Sequence, residues 1–164
     1  MSARESLDDD GTGRLTLHGA PFMLIRPETL VALQRAMEVV LGPRAAACLA
    51  AGGRAGGAKA TQTLEGVGGA RVEALLKMGA EIGWGEFALE RLTPAELVVT
   101  VRRSPFAETY GKSDGPVCHL TRGVLEALAA VALERPAAMI ETACVAAGAA
   151  LCRFEARADG APRA

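Results

Sequence analysis

The sequence predicts an α+β fold: N-terminal helices packed on an antiparallel sheet, one long helix inserted, and a C-terminal hairpin. Three observations predict it. Apolar residues recur at helical spacing from Glu28 to Leu41 and again from His119 to about Glu134. Period-two alternation in LVVTV, Leu97–Val101, marks a strand. Helical patterns dominate the first half of the chain and strand patterns the second, as in α+β domains.

Taken in order, residues 1–13 (MSARESLDDDGTG) are polar and acidic and are expected to form a disordered tail. Residues 14–157 form one domain, and 158–164 a second tail. RLTLHG, 14–19, alternates as a short edge strand. FMLIRPETL, 22–30, is apolar enough to line the core before a helix starts near Pro27, where proline suits an early helical position. Leu30, Leu33, Met37, Val40 and Leu41 form its stripe, and Gly42-Pro43 ends it. GPRAAACLAAGGRAGGAKA then reads as a small-faced helix that permits close approach, as a core or dimer contact or as room for a ligand. Cys48 sits there as buried packing. Its GGRAGG has neither a preceding strand nor a following GK[ST], so it is no phosphate loop.

Residues 58–81 read as a further helix, with Leu64, Val67, Val72, Leu75, Leu76 and Met78 on an imperfect stripe and Gly66, Gly68 and Gly69 as a kink. Residues 83–92 and 95–104 are two strands around a Thr-Pro turn. A loop marked by Tyr110-Gly111 and Gly115-Pro116 leads to Cys118 and a helix carrying Leu120, Val124, Leu128 and Val131. Arg135-Pro136 stops it. AAMIETA and LCRFEAR then pair as a hairpin around the small-residue turn VAAGA.

Three of the four cysteines lie in this last third. Cys118 is followed after 23 residues by Glu141, after three more by Cys144 and after eight by Cys152. Three thiols and a carboxylate are a soft-to-borderline donor set that zinc accepts tetrahedrally. The hairpin would bring Cys144 and Cys152 together with Glu141 in reach. A thiol at a helix N-terminus is favoured as thiolate, which suits Cys118 as a ligand. The spacing alone serves equally well for three small buried hydrophobes.

Composition narrows the function. One domain of 164 residues can bury roughly 70% of its unfolded surface. With 18 basic and 19 acidic residues there is no electrostatic footprint for nucleic acid or a membrane surface. No apolar run reaches the roughly 18 residues of a spanning helix, and the N-terminus lacks the apolar core of a signal peptide. Cysteines without a secretory signal point to a reducing, cytoplasmic setting in which metal binding is favoured over disulfides. The chain has two histidines: His18 is expected at the surface, and His119 beside Cys118. No catalytic triad can be assembled, and no dinucleotide fingerprint is present. Half of the residues are hydrophobic but only 4% aromatic. Small residues with a few bulky ones can enclose an apolar pocket with sparse polar handles. Its candidate walls are Phe22, Trp84, Phe87, Leu97, Val99, Phe106, Tyr110 and Met139, each of which also suits the core.

The run SPFAETYGKSDGPVCHLTRGVL, followed by Glu-x2-Cys-x7-Cys ending in CRF, resembles the vinyl-4-reductase (4VR) domain. That family is related to the sensory domains of phenol- and xylene-responsive transcription activators. The likeness is specific over 104–154 and diffuse over roughly 20–103. It implies a zinc site at Cys118, Glu141, Cys144 and Cys152, tying the C-terminal hairpin, and a homodimer. It implies a stand-alone domain that binds a hydrophobic or aromatic small molecule, as sensor or carrier. The alternatives are a 4-vinyl reductase or accessory protein of bacteriochlorophyll-type tetrapyrrole biosynthesis, and a protein–protein adaptor. Four protein ligands would close the site, making the zinc structural rather than catalytic. The tryptophan that helps hold phenol in those sensors falls near Leu97 here, so phenol recognition does not carry over.

Overall fold

The computed structural model describes residues 2–3, 5–64 and 66–158. It begins with a three-stranded antiparallel meander, β1 (Leu7–Asp9), β2 (Leu15–Leu17) and β3 (Ala20–Phe22). Within residues 1–13, expected as an unstructured tail, β1 therefore forms, because Leu7, Asp8 and Asp9 pair with Leu17, Thr16 and Leu15. The strand expected at an edge is β2, which lies in the middle. Of the C-terminal tail, all but Ala158 lies outside the described residues.

Three helices follow, α1 (Pro27–Leu41), α2 (Arg44–Thr63) and α3 (Gly69–Glu81). Proline opens α1 as expected, yet the face it buries differs from the predicted stripe. Val31 and Gln34 point inward, while Leu33 and Val40 are exposed, as is the preceding Phe22–Ile25. Gln34 accounts for part of this, since its side-chain amide is needed inside to donate to the buried Val117 carbonyl at 3.1 Å. Gly66 and Gly68 fall in a break between α2 and α3 rather than in a kink, and Val67 there is exposed.

The second sheet has the order β4-β5-β7-β6, all antiparallel, from β4 (Glu86–Thr93), β5 (Glu96–Arg102), β6 (Met139–Ala143) and β7 (Cys152–Arg157). Two helices lie between β5 and β6: the short α4 (Pro105–Tyr110) and the long α5 (His119–Ala132). Sequence patterning missed α4, although Ser104 caps it and Pro105 opens it, a readable start signal. α5 turns Thr121, Leu125, Leu128 and Ala129 into the core, where Leu97, Val99, Val101, Phe154 and Met139 of the sheet also lie.

α2 packs on α5 along its small residues. A Cβ added at Gly53 would lie 2.2 Å from the Leu120 carbonyl oxygen, and one at Gly123 2.1 Å from that of Ala50. The Ala/Gly face is thus occupied within the chain and unavailable as the dimer contact considered from sequence. Cys48 does not share in it and is exposed, because the helix turns its neighbours Ala45, Leu49 and Ala50 inward instead. Replacing Gly123 by Ala should cost about 2 kcal/mol or more by overpacking. Gly56→Ala, with open space at its Cβ, should stabilise α2 by roughly 0.5–1 kcal/mol. Urea denaturation of both variants reads the contrast.

Candidate metal centre

Each of the four predicted donors is delivered by a different local device. Cys118 is the N-cap of α5, following Pro116-Val117. Glu141 faces inward from β6, and Cys152 is the first, inward-facing residue of β7. Cys144 needs more explanation, since residues three apart on a regular strand point to opposite faces. The β6–β7 register shifts between Glu141 and Ala143, leaving Thr142 as an extra residue. That bulge, with the 3-10 turn Val145–Ala147, re-aims Cys144 inward beside Glu141. Gly148 closes the turn at φ 94°, a left-handed position suited to glycine.

The donors converge. One ligand atom from each of Cys118, Glu141, Cys144 and Cys152 lies within 4.8 Å of the other three, and all four residues are buried. The Sγ of Cys118 is 3.7 Å from that of Cys152, which is 4.0 Å from that of Cys144. Those separations match the edge of a tetrahedron with metal–sulfur bonds near 2.3 Å, about 3.8 Å. Glu141 accepts the Cys118 backbone N–H on Oε2 at 3.0 Å, while its buried Oε1 has no hydrogen-bond partner. An orphaned carboxylate oxygen facing three thiols fits the donor set of a metal ion.

The electrostatics agree. Burial, then Cys144, pushes the Glu141 carboxyl from 4.5 up to about 8. Hydrogen bonds to Cys118 and Cys152 hold Cys144 well below the ordinary thiol range, and hydrogen bonds to Cys144 and Cys152 with burial push Cys118 well above it. At Cys152 the bond to Cys118 lowers the value, but Cys144 and burial outweigh it and push the thiol up to about 12. The pocket tolerates one anion at Cys144, and ionising all four groups requires a cation.

Ser104 and Gln34 support the site, and neither was singled out from sequence. The Ser104 hydroxyl caps α4 by accepting the Ala107 N–H and lies 3.4 Å from the Cys118 Sγ. Gln34 holds the carbonyl of Val117, one residue before the ligand. Gln34 lies off the predicted stripe of α1, so no sequence signal marked it. Of the basic residues on the same elements, Arg122 donates to the Ala46 carbonyl and Arg153 is paired with Glu90 and Glu155. Burial, then the Arg122 charge, lowers the basicity of His119.

The candidate pocket residues fall into two groups. Leu97, Val99, Phe106 and Met139 are buried core, with Trp84, Phe87 and Tyr110 packed against it. Phe22 stands apart at the end of β3, half exposed. Trp84 packs edge-on against Phe106, ring centroids 5.2 Å apart. Two surface depressions flank the centre. One of about 430 Å³ lies between α4 and Val145–Gly148, and one of about 260 Å³ is lined by Pro116, His119, Arg122 and Met139–Glu141.

Residues 97–158 match the V4R domain. That span contains all four donors, and the resemblance read from the sequence is borne out. The chain is also similar in structure to the phenol-responsive sensory domain of the transcription activator PoxR, solved with phenol. The TM-score is 0.82 at 17% identity, over 94% of this chain and 86% of that one. A vinyl-4-reductase family protein from Methanocaldococcus jannaschii is similar at TM-score 0.54 and 14% identity, over 79% of this chain and 76% of that one. The likeness of fold to the sensory domain thus extends over the N-terminal helices, beyond the span matched to the V4R domain. No curated protein matches the chain by sequence.

The raised Glu141 value sets a pH test. A carboxyl more basic folded than unfolded contributes stability fully below about pH 4.5 and loses it as pH rises through about 8. Cys144, ionised when folded and protonated when unfolded over the same window, contributes with the opposite sign. The two slopes offset, so metal-stripped protein should melt at nearly the same temperature from pH 5 to 8. Bound metal should make the melting temperature rise with pH, because its ligands must be deprotonated. Thermal melts with and without chelator check both outcomes.

Proposed function

We propose that this chain is a zinc-stabilised domain that binds a hydrophobic or aromatic small molecule, as a sensor or carrier, and works as a homodimer. The observation that carries the zinc reading is the buried convergence of three thiols and an orphaned carboxylate oxygen at tetrahedral spacing. Cys118, Glu141, Cys144 and Cys152 would hold the ion, which as a closed four-ligand site supplies folding free energy rather than catalysis. Unbridged thiols in this arrangement fit a reducing, cytoplasmic setting.

The ligand reading is supported by the fold shared with a sensory domain solved with phenol. On this reading the ligand would lie between α5 and the sheet, where Leu97, Val99, Phe106 and Met139 would part around it. A second reading, the protein–protein adaptor, is favoured by how closely these four pack, each 4% exposed or less. Reduction of a vinyl-bearing tetrapyrrole would instead require turnover with a reduced nicotinamide.

Native mass spectrometry of protein purified without chelator should find one zinc per chain. Cys118→Ser should lose it, together with about 3 kcal/mol or more of stability. A metal-free wild type that stays stably folded would sink the zinc reading. Calorimetric titration with phenol and larger apolar aromatics should give saturable binding, weakened by Phe106→Ala. Heat-silent titrations across that panel would leave the adaptor ahead.

A further inference from the structure

Buried polar side chains are almost always hydrogen-bonded, so each exception calls for an account. Among the described residues, three buried side-chain atoms have no partner: Arg71 Nε, Glu141 Oε1 and Thr121 Oγ1. Arg71 is only half buried, and Glu141 belongs to the metal centre. Thr121 is 1% exposed and falls under neither explanation. A helical threonine ordinarily returns its hydroxyl proton to the carbonyl four or three residues back. Both are engaged here. The Val117 carbonyl accepts the Gln34 side-chain amide at 3.1 Å and the His119 N–H at 2.9 Å, which fills its two lone pairs. The Cys118 carbonyl accepts the Arg122 N–H at 2.8 Å. Nor does Thr121 join the metal centre, since Ser104 is the hydroxyl that reaches the Cys118 Sγ. The remaining buried polar side chains, Gln34, Thr61 and Ser104, are all bonded.

Thr121 shares one face of α5 with Leu125 and Leu128, four and seven residues further on, and that face turns into the core. It therefore faces the layer that holds Leu97, Val99, Phe106 and Met139. We propose that the Thr121 hydroxyl selects the ligand of this layer, donating a hydrogen bond to an oxygen carried by an otherwise apolar molecule. That role presupposes the small-molecule reading and adds the chemistry of what is bound. An acceptor is called for because the hydroxyl has one proton to give, and no carbonyl of the chain takes it. A ligand without an acceptor would leave the hydroxyl as unsatisfied as before and gain only from apolar burial. Aryl ketones and aldehydes are the simplest compounds that meet the requirement, since their carbonyl accepts and brings no donor that would itself need a partner. Plain hydrocarbons of the same size are the compounds selected against.

Calorimetric titration of the full chain with acetophenone and with ethylbenzene isolates the oxygen, because the two share ring and side-chain length. Thr121→Val keeps the shape of the side chain and removes the hydroxyl. The acetophenone-to-ethylbenzene affinity ratio should fall at least about tenfold in Thr121→Val and be kept in Thr121→Ser. Without ligand, Thr121→Val should melt roughly 2–4 °C higher than the wild type, because an unpartnered buried hydroxyl is gone. A lower melting temperature would mean that the hydroxyl is already paired within the fold, and would overturn the proposal. A ratio unchanged in Thr121→Val, or lost equally in Thr121→Ser, would overturn it too while leaving the small-molecule reading intact. A wild type that binds neither these two compounds nor phenol and the larger aromatics would overturn that reading, and the role of Thr121 with it.

Discussion

Everything in the C-terminal half depends on one electrostatic constraint: four acidic side chains share a point from which water is excluded. Buried charge is tolerated only when paired or bound to metal. A three-thiol, one-carboxylate cluster cannot lose its protons without a counter-ion, and with its protons its hydrogen bonds remain incomplete, as the orphaned Glu141 oxygen records. The cluster joins the start of α5 to both strands of the terminal hairpin, and through Ser104 it reaches the cap of α4. Through the Val117 carbonyl and Gln34 it reaches α1 as well. A single point thus fixes the relation of the helical layer to the sheet.

A second constraint is steric. The contact between α2 and α5 has no room for a Cβ at Gly53, Gly57 or Gly123, so the two backbones nearly touch. α5 is therefore covered on one side by the sheet and on another by α2. Few of its positions remain fully exposed, and a helix so covered must be apolar almost all round.

What was legible from sequence follows these constraints. That Cys118, Glu141, Cys144 and Cys152 converge was legible through the resemblance, since their spacing alone suited buried hydrophobes equally well. Strands β4 to β7 and helix α5 were readable from period and turn residues. The inward face of α1 was not, because Gln34 is held by a partner 83 residues away and no periodicity reports such a carbonyl. The same reversal turned Leu33 and Val40 outward. Cys48 was misjudged because, in a helix of alanine and glycine, hydrophobicity hardly distinguishes the faces. The break at 64–68 and the strand at Leu7–Asp9 rest on weak local signals, the latter on pairing with β2 across a glycine-bearing turn.

The glycine contact between α2 and α5 has a consequence for how the chain is made. α2 ends at Thr63 and α5 begins at His119. At roughly 5–20 residues per second of synthesis, α2 waits on the order of 3–11 seconds before its partner has been added. Alanine favours its helix meanwhile, but Gly52, Gly53, Gly56 and Gly57 work against it. The stretch whose close approach organises the finished helical layer is thus left without its partner on the ribosome. A chaperone that shields small-residue helices would have its longest opportunity there.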